Sequence, residues 1–343
     1  MKLVLRRSRQ IELRPTAPFH FDGTVHKPSY FPTADNTWQP GTAWWTLRLG
    51  EQAFGLRLQD AVSARSSGRE DAGSRHKPRL NLTVYSQRPL ADSSLAAVAD
   101  EVAYDLDLGL DLTEFNRLLN RDPLMRPVLR RWRGSRVLTS PMYESLVIYV
   151  VLQNATVRRT IQMMDNLLRA YGTLLHFDDR SLYAFWPPHV LDAAPEEHLR
   201  ALKVGYRAKA LKRISRSFAR GEIDPLALRG PLRLASGTLR SLPTPELKRE
   251  ALKLYGIGPA SVWYMLFEAF HRYDAFEYIS PWEQKIFSRL LFDRELVPGP
   301  QILAEADRRW GRWKMLAAHY LFEDLFWRHA HQPVPWLEQL IRR

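Results

Sequence analysis

Glu283 is the carboxylate whose surroundings point most directly to chemistry. It stands two residues after Pro281 and three before the apolar Ile286, at the head of a basic amphipathic stretch (Lys285, Ile286, Arg289, Leu290). A carboxylate held against a reacting centre stabilises developing positive charge and can orient or deprotonate a water molecule. One such group matters, because each tenfold in rate corresponds to about 1.4 kcal/mol. The same acid at a helix start is also favoured simply by the helix dipole. Asp274 is the fallback acid, although it falls early relative to Pro281. Upstream, Leu254-Tyr255-Gly256-Ile257-Gly258 offers a second piece of chemistry. Its glycines permit a tight turn with free backbone N–H groups, followed by the positive end of a helix. Together these suit a phosphate oxygen.

Two helices must hold that turn. Thr244 is placed to cap the first, with Pro245 and Glu246 in its first turn. The second starts at Pro259 and carries Val262, Met265, Leu266, Ala269 and Phe270 on one face. Further upstream, an apolar helix runs through Tyr143–Leu152 and breaks at Gln153-Asn154. A second helix then carries Val157, Ile161, Met164 and Leu168 and ends at Gly172. Asn154 is a natural cap for that helix. The first hundred residues alternate as strands do. Trp44–Leu49 and Phe54–Leu58 form a hairpin around Gly50-Glu51, Asn81–Tyr85 is another strand, and 63–77 is a polar loop. The fold class expected is α+β, with an N-terminal antiparallel β-rich domain over 1–103 and a helical core over 104–343.

The chain has 343 residues, a formal net charge of +13 and no cysteine. Its length allows two or three packed units. The charge favours a polyanionic partner, nucleic acid before membrane. The missing cysteines exclude disulfides, thiol catalysis and a cysteine-ligated iron–sulfur cluster. The ten histidines lack convincing metal-ligand spacing, so no metal site is expected. The N-terminus reads without a signal-peptide core, and no transmembrane run is present. The expected location is cytoplasmic, associated with the nucleoid. Arg130, Arg131, Arg133 and Arg136 read as a solvated basic face, and 203–220 is the most concentrated basic stretch.

The segment LxxYGIGPxxxxYxLF followed by PxE resembles the helix-hairpin-helix DNA glycosylases, the superfamily of 3-methyladenine glycosylase II, 8-oxoguanine glycosylase and endonuclease III. The resemblance is good over about residues 110–330 and looser in front. It implies a hairpin over 244–273, with Gly256, Ile257, Gly258 and Ala260 at the DNA backbone. It places Glu283 as the catalytic residue, where the superfamily usually has Asp. Asn154 takes the wedge position that fills the gap left by an extruded nucleotide, with Gln153 beside it to reach the orphaned base. Tyr264, Phe322 and Trp282 are the base-pocket candidates, to stack a flipped base. Bifunctional members carry a lysine where this chain has Ala260, so the resemblance implies a monofunctional hydrolase. No cofactor is required, although the superfamily's hairpin often holds a monovalent cation on backbone carbonyls. The partner implied is damaged double-stranded DNA, bound by a monomer with one open concave face.

Three readings of activity stay open at this point. Ala260 and Tyr264 favour alkylated or deaminated purines. Asn154 leans toward an 8-oxoguanine-type enzyme. The replacement of Asp by Glu283 leaves room for a non-catalytic DNA-binding relative. An RNA-binding or purely structural module would not need the ordered wedge, hairpin and carboxylate.

Overall fold

The computed structural model describes residues 2–30, 32–61, 77–229 and 243–341. The expected polar loop at 63–77 lies almost wholly outside the described residues, as does most of 223–242, for which the sequence suggests no role.

Alternating apolar residues build the front of the molecule. Strands β1 (Lys2–Val4) and β2 (Arg7–Leu13) precede a short helix α1 (Phe21–Val25). Then come β3 (Asn36–Gln39), β4 (Thr42–Leu49), β5 (Gln52–Asp60) and β6 (Leu80–Ser86). Five of them form an antiparallel sheet in the order β2-β6-β5-β4-β3. The β4–β5 hairpin turns at Gly50-Glu51, with Leu49 opposite Gln52. Leu47, Phe54, Leu56, Leu58, Leu82 and Val84 bury against Leu95, Val98 and Val102 of helix α2 (Asp92–Asp105). This helix crosses the expected boundary between residues 103 and 104.

The helical core follows as α3 (Thr113–Arg121), α4 (Met125–Trp132), α5 (Met142–Leu152) and α6 (Val157–Tyr171). It is interrupted by a hairpin that the sequence pattern hides, β7 (Thr173–Phe177) with β8 (Arg180–Ala184). β1 crosses from the N-terminal unit and pairs parallel to β7, making a second, three-stranded sheet. Trp44 packs with Leu175, Phe177 and Leu182, which ties the two sheets together. Gly55 is required there, because a Cβ at that position would lie 2.4 Å from the Phe177 ring. Asp178 closes the contact, accepting from Trp44 Nε1 at 2.6 Å, Tyr85 Oη at 2.8 Å and Arg57 at 2.9 Å.

The remaining helices are α7 (Pro188–Ala193), α8 (Glu196–Leu199), α9 (Arg207–Ala219), α10 (Pro225–Arg229), α11 (Thr244–Ala251) and α12 (Ser261–Glu268). They continue as α13 (Pro281–Phe292), α14 (Gly299–Trp310), α15 (Lys314–His331) and α16 (Pro335–Ile341). Two apolar clusters fill the core. One joins α5, α6, α9, α11 and α12, and the other joins α3, α4, α13, α14 and α15. α12 belongs to both: Met265 and Leu266 point into the first, and Phe267 into the second. Its face was expected as Val262, Met265, Leu266, Ala269 and Phe270, and all five are buried.

Several local expectations are corrected. α11 begins at Thr244 with Pro243 as its cap, and the Thr244 hydroxyl donates to Asp274 at 3.2 Å. α12 starts at Ser261, two residues after Pro259. Thr156, not Asn154, caps α6, accepting from Arg159 N at 3.3 Å. Val157 is exposed, and the buried stripe runs through Thr160, Met163, Met164, Leu167 and Leu168. The arginine run before α5 is only partly a solvated face. Arg136 is fully buried against the carbonyls of Thr16 and Asp107, and Arg131 pairs with Asp324 beneath Trp327.

Candidate active site and nucleic-acid interface

Ser280 caps α13 and Pro281 fills its first position. The third position is Glu283, which completes a capping box: its N–H donates to Ser280 Oγ at 3.2 Å, and its Oε2 accepts from Ser280 N at 3.1 Å. Ser280 Oγ lies 2.7 Å from the same oxygen. The Tyr264 hydroxyl, arriving from α12, also donates to Oε2. Both residues line a cavity of about 670 Å³. Glu283 is therefore the helix-start acid that dipole and capping favour, and also a cavity-lining carboxylate held from two sides. Burial, then the adjacent Glu283 charge, pushes the Tyr264 phenol far above its usual range, so it stays neutral and donating.

The three aromatic candidates separate. Tyr264 and Phe322 line the cavity. Trp282 is more than a third exposed and packs edge-on against Phe322 at 5.8 Å, behind the cavity wall. Trp263 is buried in the helical core with Lys248 above its ring. Asp274, the fallback acid, does not line the cavity and partners Thr244.

The cavity runs from Glu283 and Phe322 past Tyr149 to Leu152. Asn154 stands just beyond Leu152, exposed and left-handed at φ 48°. The sharp break between α5 and α6 is thus made by a residue type that tolerates this conformation. Gln153 meets a different partner from the one expected. Its Nε2 donates to Gly256 O at 2.9 Å, bracing the α5–α6 turn against the hairpin turn 103 residues away. Its own carbonyl accepts from Arg207 and from Tyr206 Oη. Asn154 Nδ2 reaches Tyr206 Oη at 3.4 Å, and Tyr206 is 58% exposed beside it.

Gly256 takes φ 87°, which a side chain would strain, and Gly258 has open space around it. The hairpin amides are not all free, since Ile257 N donates to Leu254 O at 3.2 Å. Among the described residues no backbone carbonyl accepts from Gly258 or Ala260 N–H. Ile257 is itself buried, while Ala260 is half-buried at the start of α12. Tyr255 is exposed under Arg213, 4.1 Å from its ring. Of the basic stretch, Arg207 is buried, Lys212 caps the carbonyls of Asp192 and Ala194, and Arg216 pairs with Asp192. Lys203, Lys209, Arg213 and Arg220 remain exposed. No group that could hold a metal ion occurs among the described residues.

No family model matches the sequence. A curated relative, DNA-3-methyladenine glycosylase of Bacillus subtilis, is 22% identical over 222 residues, 64% of this chain and 69% of that protein. Among solved structures, 3-methyladenine DNA-glycosylase from Archaeoglobus fulgidus superposes with a TM-score of 0.69 at 14% identity, covering 94% of this chain and 99% of that one. The 8-oxoguanine glycosylase/lyase of Clostridium acetobutylicum, in complex with double-stranded DNA, gives 0.64 at 18% identity, covering 95% and 99%.

The chain has the fold of the helix-hairpin-helix DNA glycosylases. On this glycosylase fold, three cavity groups escape sequence reasoning. Tyr149 donates to Glu268 Oε2 at 2.8 Å. His319 lines the same wall with its Nε2 unpartnered in the structure. Burial holds that imidazole well below its usual pKa, so it is neutral. These residues sit on helix faces that read as ordinary core, and their sequence spacing carries no signal. Tyr206 was legible only as part of a basic run. Lys27 is a fourth lining group, its amine bound to the carbonyls of Gly23 at 2.5 Å and Arg136 at 2.6 Å.

Proposed function

We propose that this protein is a base-excision-repair DNA glycosylase, which extrudes a damaged base into the cavity and hydrolyses its N-glycosidic bond. The observation that carries this reading is the convergence on one cavity of Glu283, Tyr264 and Phe322, with the wedge turn at its far end. Glu283 stabilises the positive charge on the sugar and orients the attacking water. Phe322 and Tyr264 offer faces for the base. Asn154 and Tyr206 enter the duplex at the vacated position, and the hairpin holds the backbone. A monovalent cation fits the hairpin: the Leu254 and Gly256 carbonyls each accept one hydrogen bond and keep a second lone pair. It would brace the turn beneath a phosphate.

The favoured substrates are alkylated or deaminated purines. The cavity is lined by Asp35, Asp105, Glu144, Glu283 and Glu323, a setting suited to an electron-poor base. Burial pushes Asp105 up to about 8, Glu144 well above the usual range, and Asp35 and Glu323 upward as well, which moderates the net negative charge. The reaction proposed is monofunctional. Ala260 replaces the attacking lysine, and Lys27, the only lysine among the described residues that line the cavity, is held by two carbonyls. An 8-oxoguanine specificity is the second reading, favoured by Asn154 in the wedge turn. The protein would act as a monomer on damaged duplex DNA in the cytoplasm.

The test is single-turnover base release from duplexes carrying hypoxanthine, ethenoadenine, methylated purines, uracil or 8-oxoguanine, with Glu283→Gln alongside and borohydride trapping on each active substrate. Release abolished in the variant, with no trapped adduct, is the expected result. Tight duplex binding with no release on any substrate would make the protein a non-catalytic relative.

A further inference from the structure

Glu268 ends α12, four residues beyond Tyr264 and therefore on the same helix face. It is half-buried and lines the cavity with Tyr149, Tyr264, Glu283, His319 and Phe322. Two hydroxyls reach its carboxyl: Tyr149 from α5, at 2.8 Å, and Tyr30 from the segment after α1. Glu283 of α13 and Glu323 of α15 also face it, and Tyr264 is the ionisable neighbour on its own helix. Glu323 is occupied by Ser29, which donates to it through N–H at 3.1 Å and through its hydroxyl. Glu283 is occupied by Tyr264 and Ser280. Glu268 thus takes its hydrogen bonds from two phenols and is flanked by two other carboxylates.

Burial pushes the Glu268 pKa up to about 7; the Tyr149 hydrogen bond opposes this and the Glu283 charge adds to it. A carboxyl so placed holds a transferable proton at neutral pH, while a second acid nearby works as a carboxylate. Departure of a base differs in one respect between lesion types. A purine already made cationic by alkylation leaves as a neutral molecule unaided. An uncharged purine leaves as an anion unless a proton reaches a ring nitrogen.

We propose that Glu268 is the general acid for uncharged purines in this cavity, and is not required for cationic ones. The proposal rests on the glycosylase reading above. As the bond between C1′ and the base breaks, its electron pair stays with the base, and the Glu268 proton passes to a ring nitrogen of that base. Water oriented by Glu283 adds to C1′ and releases one proton, which returns through solvent to Glu268. The products are the abasic sugar and a neutral free base.

The experiment compares hypoxanthine with 7-methylguanine release in single turnovers, across pH values on both sides of about 7, for wild type, Glu268→Gln and Tyr149→Phe. Glu268→Gln is expected to slow hypoxanthine release by about 100-fold or more and to remove its decline at high pH, the range usual for general acids. Release of 7-methylguanine should stay within about threefold of wild type, and this serves as the folding control. Tyr149→Phe removes a bond that favours the ionised carboxyl, so the alkaline limb for hypoxanthine should move to higher pH with 7-methylguanine unchanged. Equal losses on both substrates, an unchanged hypoxanthine profile in both variants, or a wild type that releases only the cationic base would each overturn the proposal. A wild type that releases neither base would instead overturn the glycosylase reading.

Discussion

The Tyr264 hydroxyl donates to Glu283 Oε2, joining the second hairpin helix to the first turn of the next helix. Two cavity-lining residues from separate helices are thus set against each other by one hydrogen bond. Removing it through Tyr264→Phe leaves the ring and the Ser280 bonds but takes away the hold on the carboxylate from the neighbouring helix. Base release should fall by about 10- to 100-fold, while stability drops by only about 1 kcal/mol, the usual worth of one such bond. Paired single-turnover and chemical-denaturation measurements check both numbers.

Glu283 has a second duty, as the reciprocal partner of Ser280 in the capping box. Glu283→Gln keeps an acceptor for Ser280 and for Tyr264, so the protein should unfold within about 1 kcal/mol of wild type. Glu283→Ala loses the box and should be about 1 kcal/mol less stable. Both should lack measurable excision. Appreciable turnover in the glutamine variant would remove Glu283 from the chemistry.

Glu268 should leave a mark on stability versus pH. Its folded pKa of about 7 lies above the ordinary 4.5. Between these values the folded chain keeps a proton that the unfolded chain has released. Stability is therefore full below about 4.5 and is lost as pH rises toward 7, by a total on the order of 3 kcal/mol. Glu268→Gln lacks this loss. Its melting temperature should match wild type near pH 4.5 and exceed it above pH 7. Equal offsets at both pH values would show that Glu268 is not a buried acid.

The α5–α6 turn and the hairpin turn should respond differently to truncation. Asn154 is exposed and caps nothing, but its φ of 48° suits asparagine better than alanine, so Asn154→Ala should cost about 1 kcal/mol or less while slowing excision on paired duplexes. Gln153→Ala breaks the bond to Gly256 O and should lower stability by about 1 kcal/mol while weakening duplex affinity. Gly256→Ala forces a side chain into φ 87°, with its Cβ 3.2 Å from Val150 Cγ2. It should cost about 1–3 kcal/mol and most of the DNA affinity. Fluorescence titration of an abasic duplex reads the affinities.

Much was legible in the residues themselves. The alternation of β4 to β6, the apolar face of α12, the glycine turn and the Pro281–Glu283 helix start all depend on contacts within a few positions of the chain. Backbone sterics and local periodicity dictate these before any packing occurs. Tertiary structure decided the rest. The pairing of β1 with β7, the burial of Arg136, the displacement of Trp282 behind Phe322 and the bond from Gln153 to Gly256 each join distant segments, so no local pattern encodes them. The same holds for the cavity wall. Tyr149, Glu268 and His319 sit at ordinary helix positions, and only the convergence of α5, α12 and α15 strips water from them and turns a surface-type acid into one that keeps its proton.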